Sequence, residues 1–291
     1  MITEADSTLK LLEKMATAAN LREDSRLRLR DWDRIIRWEI DGDPFFWRIA
    51  KSEVKISLPA LPDICIKCSQ ETLERLAFEE LPFFLALWTT GDMKFEGSFS
   101  DAHRLGYIFL NRKNDKRERR VVFVVHCFLN INTRFPEGSA FAGADLPVIE
   151  TLLQKGVGMI QMPCPEFHCL GLEKDRVGQL SESELRFCYQ TQASSVVDQI
   201  EQYLDYGYEI AGIIGMNPSP SCGVEVAKGK GKFLGRDEDI SEREGPGVFI
   251  EELLNLMKAR GVKPLPLFGI RRILTGENGM EERLKIIHEK L

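Results

Sequence analysis

A chain of 291 residues, 43% hydrophobic and 29% charged, is long enough for two ordinary domains and too apolar to be disordered. A formal net charge of −6 gives no bulk attraction to nucleic acid or anionic lipid, so any nucleic-acid contact must be local. The start, Met1-Ile2-Thr3-Glu4-Ala5-Asp6, lacks the regions of a signal peptide, and no run reaches the roughly 18 apolar residues that cross a bilayer; the expectation is a cytoplasmic protein without membrane insertion, its oligomeric state unspecified.

Leu9, Leu11, Leu12, Met15, Ala16 and Ala19 fall near helical spacing and predict an amphipathic first helix. From Ile36 the period changes to two. Ile36, Trp38 and Ile40 alternate with polar residues, and Asp41-Gly42-Asp43-Pro44 turns the chain into Phe45-Phe46-Trp47-Arg48-Ile49. Val54, Ile56 and Leu58, then Ile64, Ile66 and Cys68, extend what reads as an antiparallel sheet. Glu71 to Trp88 is helical with a break at Pro82, Met93 to Gly97 alternates again, and Ser98 to Leu110 is helical, which together make an α+β unit. Cys65 and Cys68 have C-x-x-C spacing, but residues three apart on a strand face opposite sides, so the pair is read as packing rather than as metal ligands.

This segment resembles the sterol carrier protein type-2-like domain in Phe46-Trp47-Arg48-Ile49, Leu61-Pro62-Asp63-Ile64 and Thr90-Gly91-Asp92-Met93-Lys94-Phe95-Glu96-Gly97-Ser98, followed by Arg104-Leu105. The resemblance spans residues 1–112 and implies a tunnel for an apolar ligand, with a filled core serving as a docking module as the alternative. An apolar pocket is expected along the faces of Ile36 and Trp38, Val54 and Ile56, and Met93 and Phe95. Residues 113–120, highly charged, read as a linker.

Beyond it strands alternate with helices. Strand 121–126, a helix from Leu146 to Lys155, strand 157–162, a long helix from Ser181 to Tyr206, strand 208–214, a helix from Val248 to Arg260, a strand from Pro264 to Phe268 and a last helix from Met280 to Lys290 predict an α/β fold, a doubly wound parallel sheet over 121–291. Three of those strands lead into cysteines: Cys127, Cys164 and Cys222. The carboxyl ends of parallel strands share one edge where ligands bind, so the three thiols are expected to converge. Seven cysteines in all, an odd number without framework spacing, point to reduced thiols or metal ligands rather than disulfides. Cys169 and Cys188 are read as buried small hydrophobes. Gly229 to Gly235 does not fit a phosphate loop and reads as a lid whose Lys230 and Lys232, with Lys228, could meet an anionic substrate group.

Two chemistries fit the converging thiols. Cys127, Cys164, His168 and Cys222 could hold zinc, with His126 nearby, or the three cysteines alone could hold a cubic iron–sulfur cluster with one iron open. The turns Cys127-Phe128-Leu129-Asn130 with Arg134, Cys164-Pro165-Glu166 with Gly171-Leu172, and Ser219-Pro220-Ser221-Cys222-Gly223 resemble the TudS-like thiouracil desulfidase family, over about residues 120–291. That resemblance implies a Rossmann-like domain with a [4Fe-4S] cluster on Cys127, Cys164 and Cys222. Catalysis is implied at Glu166 and Ser219, and substrate contacts at Asn130 and Arg134. Arg134-Phe135-Pro136-Glu137-Gly138 departs from the family's arginine-tyrosine-aspartate-glycine stretch. The substrate class implied is a small thiolated heterocycle, whether free base, nucleotide or tRNA.

Overall fold

The computed structural model describes residues 4–110, 117–134, 136, 139, 141–228, 241–271 and 279–291. The chain divides into two compact units, Met1–Lys116 and Arg117–Leu291, each around its own apolar cluster. Lys113 to Lys116 of the expected linker lie outside the described residues, but Arg117 to Arg120 belong to the second unit. Arg117 donates to the Tyr208 hydroxyl at 3.0 Å, the Arg119 guanidinium lies over the Tyr208 ring, and Arg120 opens a strand while donating to Glu209 at 2.9 Å. A charged run reads as solvated until the ring and carboxylate that face it are known.

The first unit runs α1 (Glu4–Leu21), α2 (Glu23–Leu29), β1 (Arg34–Ile40), β2 (Asp43–Ala50), β3 (Glu53–Ile56), β4 (Ile64–Cys68), α3 (Gln70–Ala77), α4 (Phe83–Trp88), β5 (Met93–Glu96) and α5 (Phe99–Ile108). β1 and β2 form the expected hairpin. Its two-residue loop, Asp41-Gly42, has positive φ at both positions, the turn whose twist suits a hairpin. The sheet order is β3-β2-β1-β4-β5, and here the antiparallel expectation is corrected: β4 runs parallel to β1. After β3 the chain crosses to the far side of β1, where Asp63 exchanges bonds with Ile35, accepting its N–H at 2.7 Å and donating to its carbonyl at 2.8 Å.

One face of the sheet packs on α1. Ile36, Trp38, Trp47, Val54, Ile66 and Met93 join Leu12, Met15 and Ala19 in the cluster. On the faces expected to line a pocket, Trp38 meets Trp47 edge-on at 5.0 Å and Trp47 lies 5.6 Å from Phe109. Cys65 and Cys68 are both buried, three apart on one strand. Burial pushes both thiols up, that of Cys68 to about 12, so both stay protonated packing groups.

Asp101 ties α5 to the sheet. It accepts from the Ser98 hydroxyl at 2.8 Å, the Trp32 indole at 2.9 Å and Arg34 at 3.3 Å. Burial raises its pKa, yet the bonds from Ser98 and Trp32 and the charge of Arg34 outweigh that and hold it below the usual carboxylate range. A depressed folded-state pKa contributes stability above the unfolded value of about 3.9 and loses it as pH falls through the folded value. Asp101→Asn should therefore lower the urea midpoint of the first unit at pH 7 and flatten its decline below about pH 4. An unchanged acid limb would place the acid sensitivity elsewhere.

The second unit runs β6 (Arg120–Val125), α6 (His126–Leu129), a short 3-10 turn (Ile131–Thr133), α7 (Leu146–Gln154), β7 (Gly158–Met162), α8 (Pro165–Leu170), α9 (Glu182–Asp205), β8 (Glu209–Asn217), β9 (Val226–Lys228), β10 (Glu242–Glu244), α10 (Val248–Ala259), β11 (Leu267–Arg271) and α11 (Gly279–Lys290). Its main sheet is wholly parallel in the order β11-β8-β6-β7. β6 and β8 are buried almost without alternation, as strands covered on both faces must be. α9 packs along α10, and α7 against α11. The last strand starts later than expected, because Pro264 and Pro266 have no N–H for the ladder; the Pro266 carbonyl instead accepts from Ile213. β9 and β10 form an unexpected antiparallel ribbon. The lid assigned to Gly229 to Gly235, with Lys230 and Lys232, lies outside the described residues, and Lys228 is exposed on β9.

Along the sheet, β6 is followed in sequence by β7 on one side and by β8 on the other. The strand order reverses between β6 and β8. At such a reversal the loops after the two strands part to opposite faces and leave a crevice at the carboxyl edge.

Candidate functional site: three cysteines at the carboxyl edge of the parallel sheet

Cys127 lies in α6, which takes over directly from β6, so His126 ends no strand but opens a helical turn. Cys164 follows β7 and caps α8, where Pro165 occupies the first turn without forfeiting a hydrogen bond. The Cys164 sulfur accepts the Phe167 N–H at 3.5 Å. Cys222 lies in the loop after β8. That loop is held by Asn217, whose Oδ1 accepts the N–H groups of Val224 at 3.0 Å and Glu225 at 3.4 Å, and by Ser219 Oγ, which accepts the Cys222 N–H at 3.1 Å. The first N–H groups of α10 close it from the other side, Val248 donating to Pro220 at 3.0 Å and Phe249 to Ser221 at 3.1 Å. Gly223 is required by this close approach, since a Cβ there would collide with the Val226 carbonyl.

The three thiols sense one another. The interaction with Cys164 draws Cys127 below the ordinary thiol range against the opposing effect of burial; the same interaction, with burial, pushes Cys164 up. Burial above all, then the charge of Cys164, pushes Cys222 up, and the Arg134 guanidinium favours the thiolate at both Cys127 and Cys222. Thiols that shift one another in opposite directions titrate as a set rather than one by one.

Beside them stands Glu166, in the first turn of α8. Ser221 Oγ donates to its Oε1 at 2.8 Å, and Lys174 forms an ion pair with its Oε2. Ser221 Oγ also lies 3.6 Å from the Cys222 sulfur. Ser219 reaches the carboxylate only through Ser221, the two hydroxyls being 3.3 Å apart. In the sequence Ser221 stands only as part of the Cys222 turn, and Lys174 is unmarked. Ser221 adjoins Cys222 and could have been noticed there, whereas Lys174 carries no motif. Arg134 is brought to the site and donates to Met216 Sδ at 2.9 Å; Asn130 turns its Oδ1 back on its own loop, accepting from the Asn132 N–H at 3.1 Å.

Among the described residues no three His, Cys, Asp or Glu side chains are placed to hold one metal ion. His168 is exposed on α8, so the mixed set of Cys127, Cys164, His168 and Cys222 expected for zinc is not assembled. His126 pairs through Nδ1 with Gln161, and burial lowers its pKa. The donor chemistry that remains is three free, largely buried thiols on three strand ends. That suits a cluster, which spreads its thiolates over separate irons and does not require them to meet at one point.

Cys169 and Cys188 correct a further expectation: they form a disulfide across 19 residues. α8 lies against α9, and a Cα separation of 6.0 Å is within bonding range. The bond fastens the helix bearing Glu166 to the longest helix of the unit and leaves Cys65, Cys68, Cys127, Cys164 and Cys222 free.

No protein-family model matches the chain. A curated relative, the uncharacterized protein MJ0003 of Methanocaldococcus jannaschii, is 28% identical over 139 residues, 46% of this chain and 85% of its own. Among solved structures, the chain is similar to sterol carrier protein 2 like 2 of Aedes aegypti, at 13% identity and a TM-score of 0.28, over 35% of this chain and 96% of that one. Sterol carrier protein 2 of Yarrowia lipolytica, in its apo form, matches at 14% identity and a TM-score of 0.29, over 39% of this chain and 97% of that one. Among the described residues no helix is long and apolar enough to cross a membrane.

Proposed function

We propose that the second unit is a TudS-like, iron–sulfur-dependent desulfidase on a Rossmann-like sheet, acting on a thiolated heterocycle such as 2-thiouracil or a thiolated nucleoside and releasing hydrosulfide without net redox change. The observation that carries this is the gathering of Cys127, Cys164 and Cys222 from three strand ends beside a carboxylate held on both oxygens. Cys127, Cys164 and Cys222 would hold a [4Fe-4S] cluster, whose open iron supplies a Lewis acid with affinity for sulfur. Glu166 accepts the proton of the water that adds to the thiocarbonyl carbon and later returns one. Ser219 and Ser221 connect that carboxylate to the cysteine loop, and Arg134 supplies a cation for the substrate. Anaerobically prepared protein should contain about four iron and four sulfide per chain, show cluster absorption, and release hydrosulfide from 2-thiouracil. Zinc in place of iron, or iron without hydrosulfide release, would sink the proposal.

One observation favours a second reading for the first unit, binding of an apolar ligand with a polar end. The indole N–H groups of Trp38 and Trp47 are buried with no hydrogen-bond partner among the described residues, and a buried donor left unsatisfied is uncommon in a folded protein. An acceptor on a fatty-acyl ligand would satisfy them. Native mass spectrometry after mild extraction, with titration by fatty-acyl probes, tests this; if neither shows a bound ligand, the unit is a docking module.

A further inference from the structure

We infer that Lys174 is a positioning residue that locks the Glu166 carboxylate against the Cys222 loop; its consequence for turnover rests on the reading of Glu166 as the proton acceptor. Two segments from different parts of the chain hold this carboxylate. Ser221, from the loop after β8, donates to Oε1 at 2.8 Å, and Lys174, from the loop after α8, pairs with Oε2. A carboxylate anchored on one oxygen still turns about its terminal bond; anchored on both, it presents one fixed edge. The pair is also withdrawn from water, with only 19% of the Lys174 side chain and 12% of the Glu166 side chain exposed. Buried charges of this kind need a well-placed partner, and removing one leaves the other uncompensated.

The loop is shaped to deliver that amine. α8 ends at Gly171 with φ +87°, a left-handed conformation that suits glycine. Lys174 itself has φ +56°, a left-handed conformation that residues bearing a Cβ seldom adopt. Its N–H donates to Gly171 at 3.2 Å, its carbonyl accepts from Val177 at 3.0 Å, and Arg176 donates back to Leu170 at 3.1 Å. The turn folds the chain back onto the helix that carries Glu166. Backbone in rarely populated regions tends to be kept where it serves a site. The disulfide between Cys169 and Cys188 fixes the same helix from its other end.

Three variants of the full chain test this: Lys174→Asn, Lys174→Arg and Ser221→Ala. Asparagine tolerates left-handed backbone while removing the amine, and arginine keeps the charge. The first readout needs no turnover. A carbodiimide, which joins an amine to a carboxylate in direct contact, should yield a Lys174–Glu166 cross-link in the wild type by peptide mass spectrometry, and Ser221→Ala should retain it. The second is kinetic. At matched iron content, Lys174→Asn should lower kcat for 2-thiouracil on the order of 10- to 100-fold, the cost of a small misplacement of a reacting group. KM should change by less than about threefold, as when ground-state binding is untouched, and Lys174→Arg should recover most of the loss. Absence of the cross-link in the wild type, or a Lys174→Asn kcat within threefold of wild type, overturns the inference. If a fully loaded wild type releases no hydrosulfide, the desulfidase reading fails separately, and the cross-link alone decides whether Lys174 holds Glu166.

Discussion

Replacing Cys222 with alanine is expected to give a folded chain that retains almost no iron after anaerobic preparation. The loop carrying Cys222 is held by Asn217 Oδ1, by Ser219 Oγ and by the first N–H groups of α10, none of which uses the sulfur. Removing the thiol should therefore leave the backbone in place while deleting one of three anchors, and a cluster held by two thiolates lacks a third of its protein ligation. Cys127→Ala and Cys164→Ala should behave alike. Cys65→Ala and His168→Ala should leave iron content unchanged, since Cys65 belongs to the other unit and His168 is exposed. Breaking the disulfide by Cys169→Ala or Cys188→Ala should lower stability, by about 3 kcal/mol for a loop of this length, without removing iron. A Cys222→Ala protein with wild-type iron would refute the three-cysteine assignment, and iron loss in His168→Ala would restore a histidine ligand.

The elements of both units were legible because their burial leaves different marks. Period-two alternation at Ile36, Trp38 and Ile40 reflects one buried face, and the unbroken runs at Val121 to Val125 and Ile210 to Ile214 reflect two. The carboxyl-edge position of Cys127, Cys164 and Cys222 followed from strand direction alone. What escaped the sequence was pairing between distant segments. Ile64, Ile66 and Cys68 alternate in the sequence as on an antiparallel strand, and only the crossing after β3 makes β4 run with β1. Cys169 and Cys188 resemble ordinary buried cysteines until α8 is laid on α9. Lys174 looks like any loop lysine, because its left-handed backbone and its partner on α8 are properties of the folded loop. The alternation of Ser219 and Ser221 was visible, but which hydroxyl meets the carboxylate depends on a turn fixed by Asn217, many ångströms of chain away from Glu166.

Glu166→Gln is expected to separate chemistry from cofactor retention. The amide has nearly the shape of the carboxylate, and its oxygen can still accept the Ser221 hydroxyl that now bonds Oε1. The loop bearing Cys222 therefore keeps its contact with α8, and iron and sulfide content should match the wild type. Lys174, only 19% exposed, loses its anionic partner, so the variant should also be less stable than the wild type. What the amide cannot do is take a proton from water at neutral pH and give one back. Hydrosulfide release at matched iron content should thus fall by about 10²- to 10⁴-fold, the usual contribution of a positioned general base. Ser221→Ala and Ser219→Ala should differ from this and from each other. The first frees one carboxylate oxygen and should cost turnover only; the second removes the acceptor of the Cys222 N–H and should also make iron more easily lost. Turnover by Glu166→Gln within tenfold of wild type, with the cluster intact, would show that the water is deprotonated by another group, and the role of the Lys174 and Ser221 clamp would then be to hold the cysteine loop rather than a base.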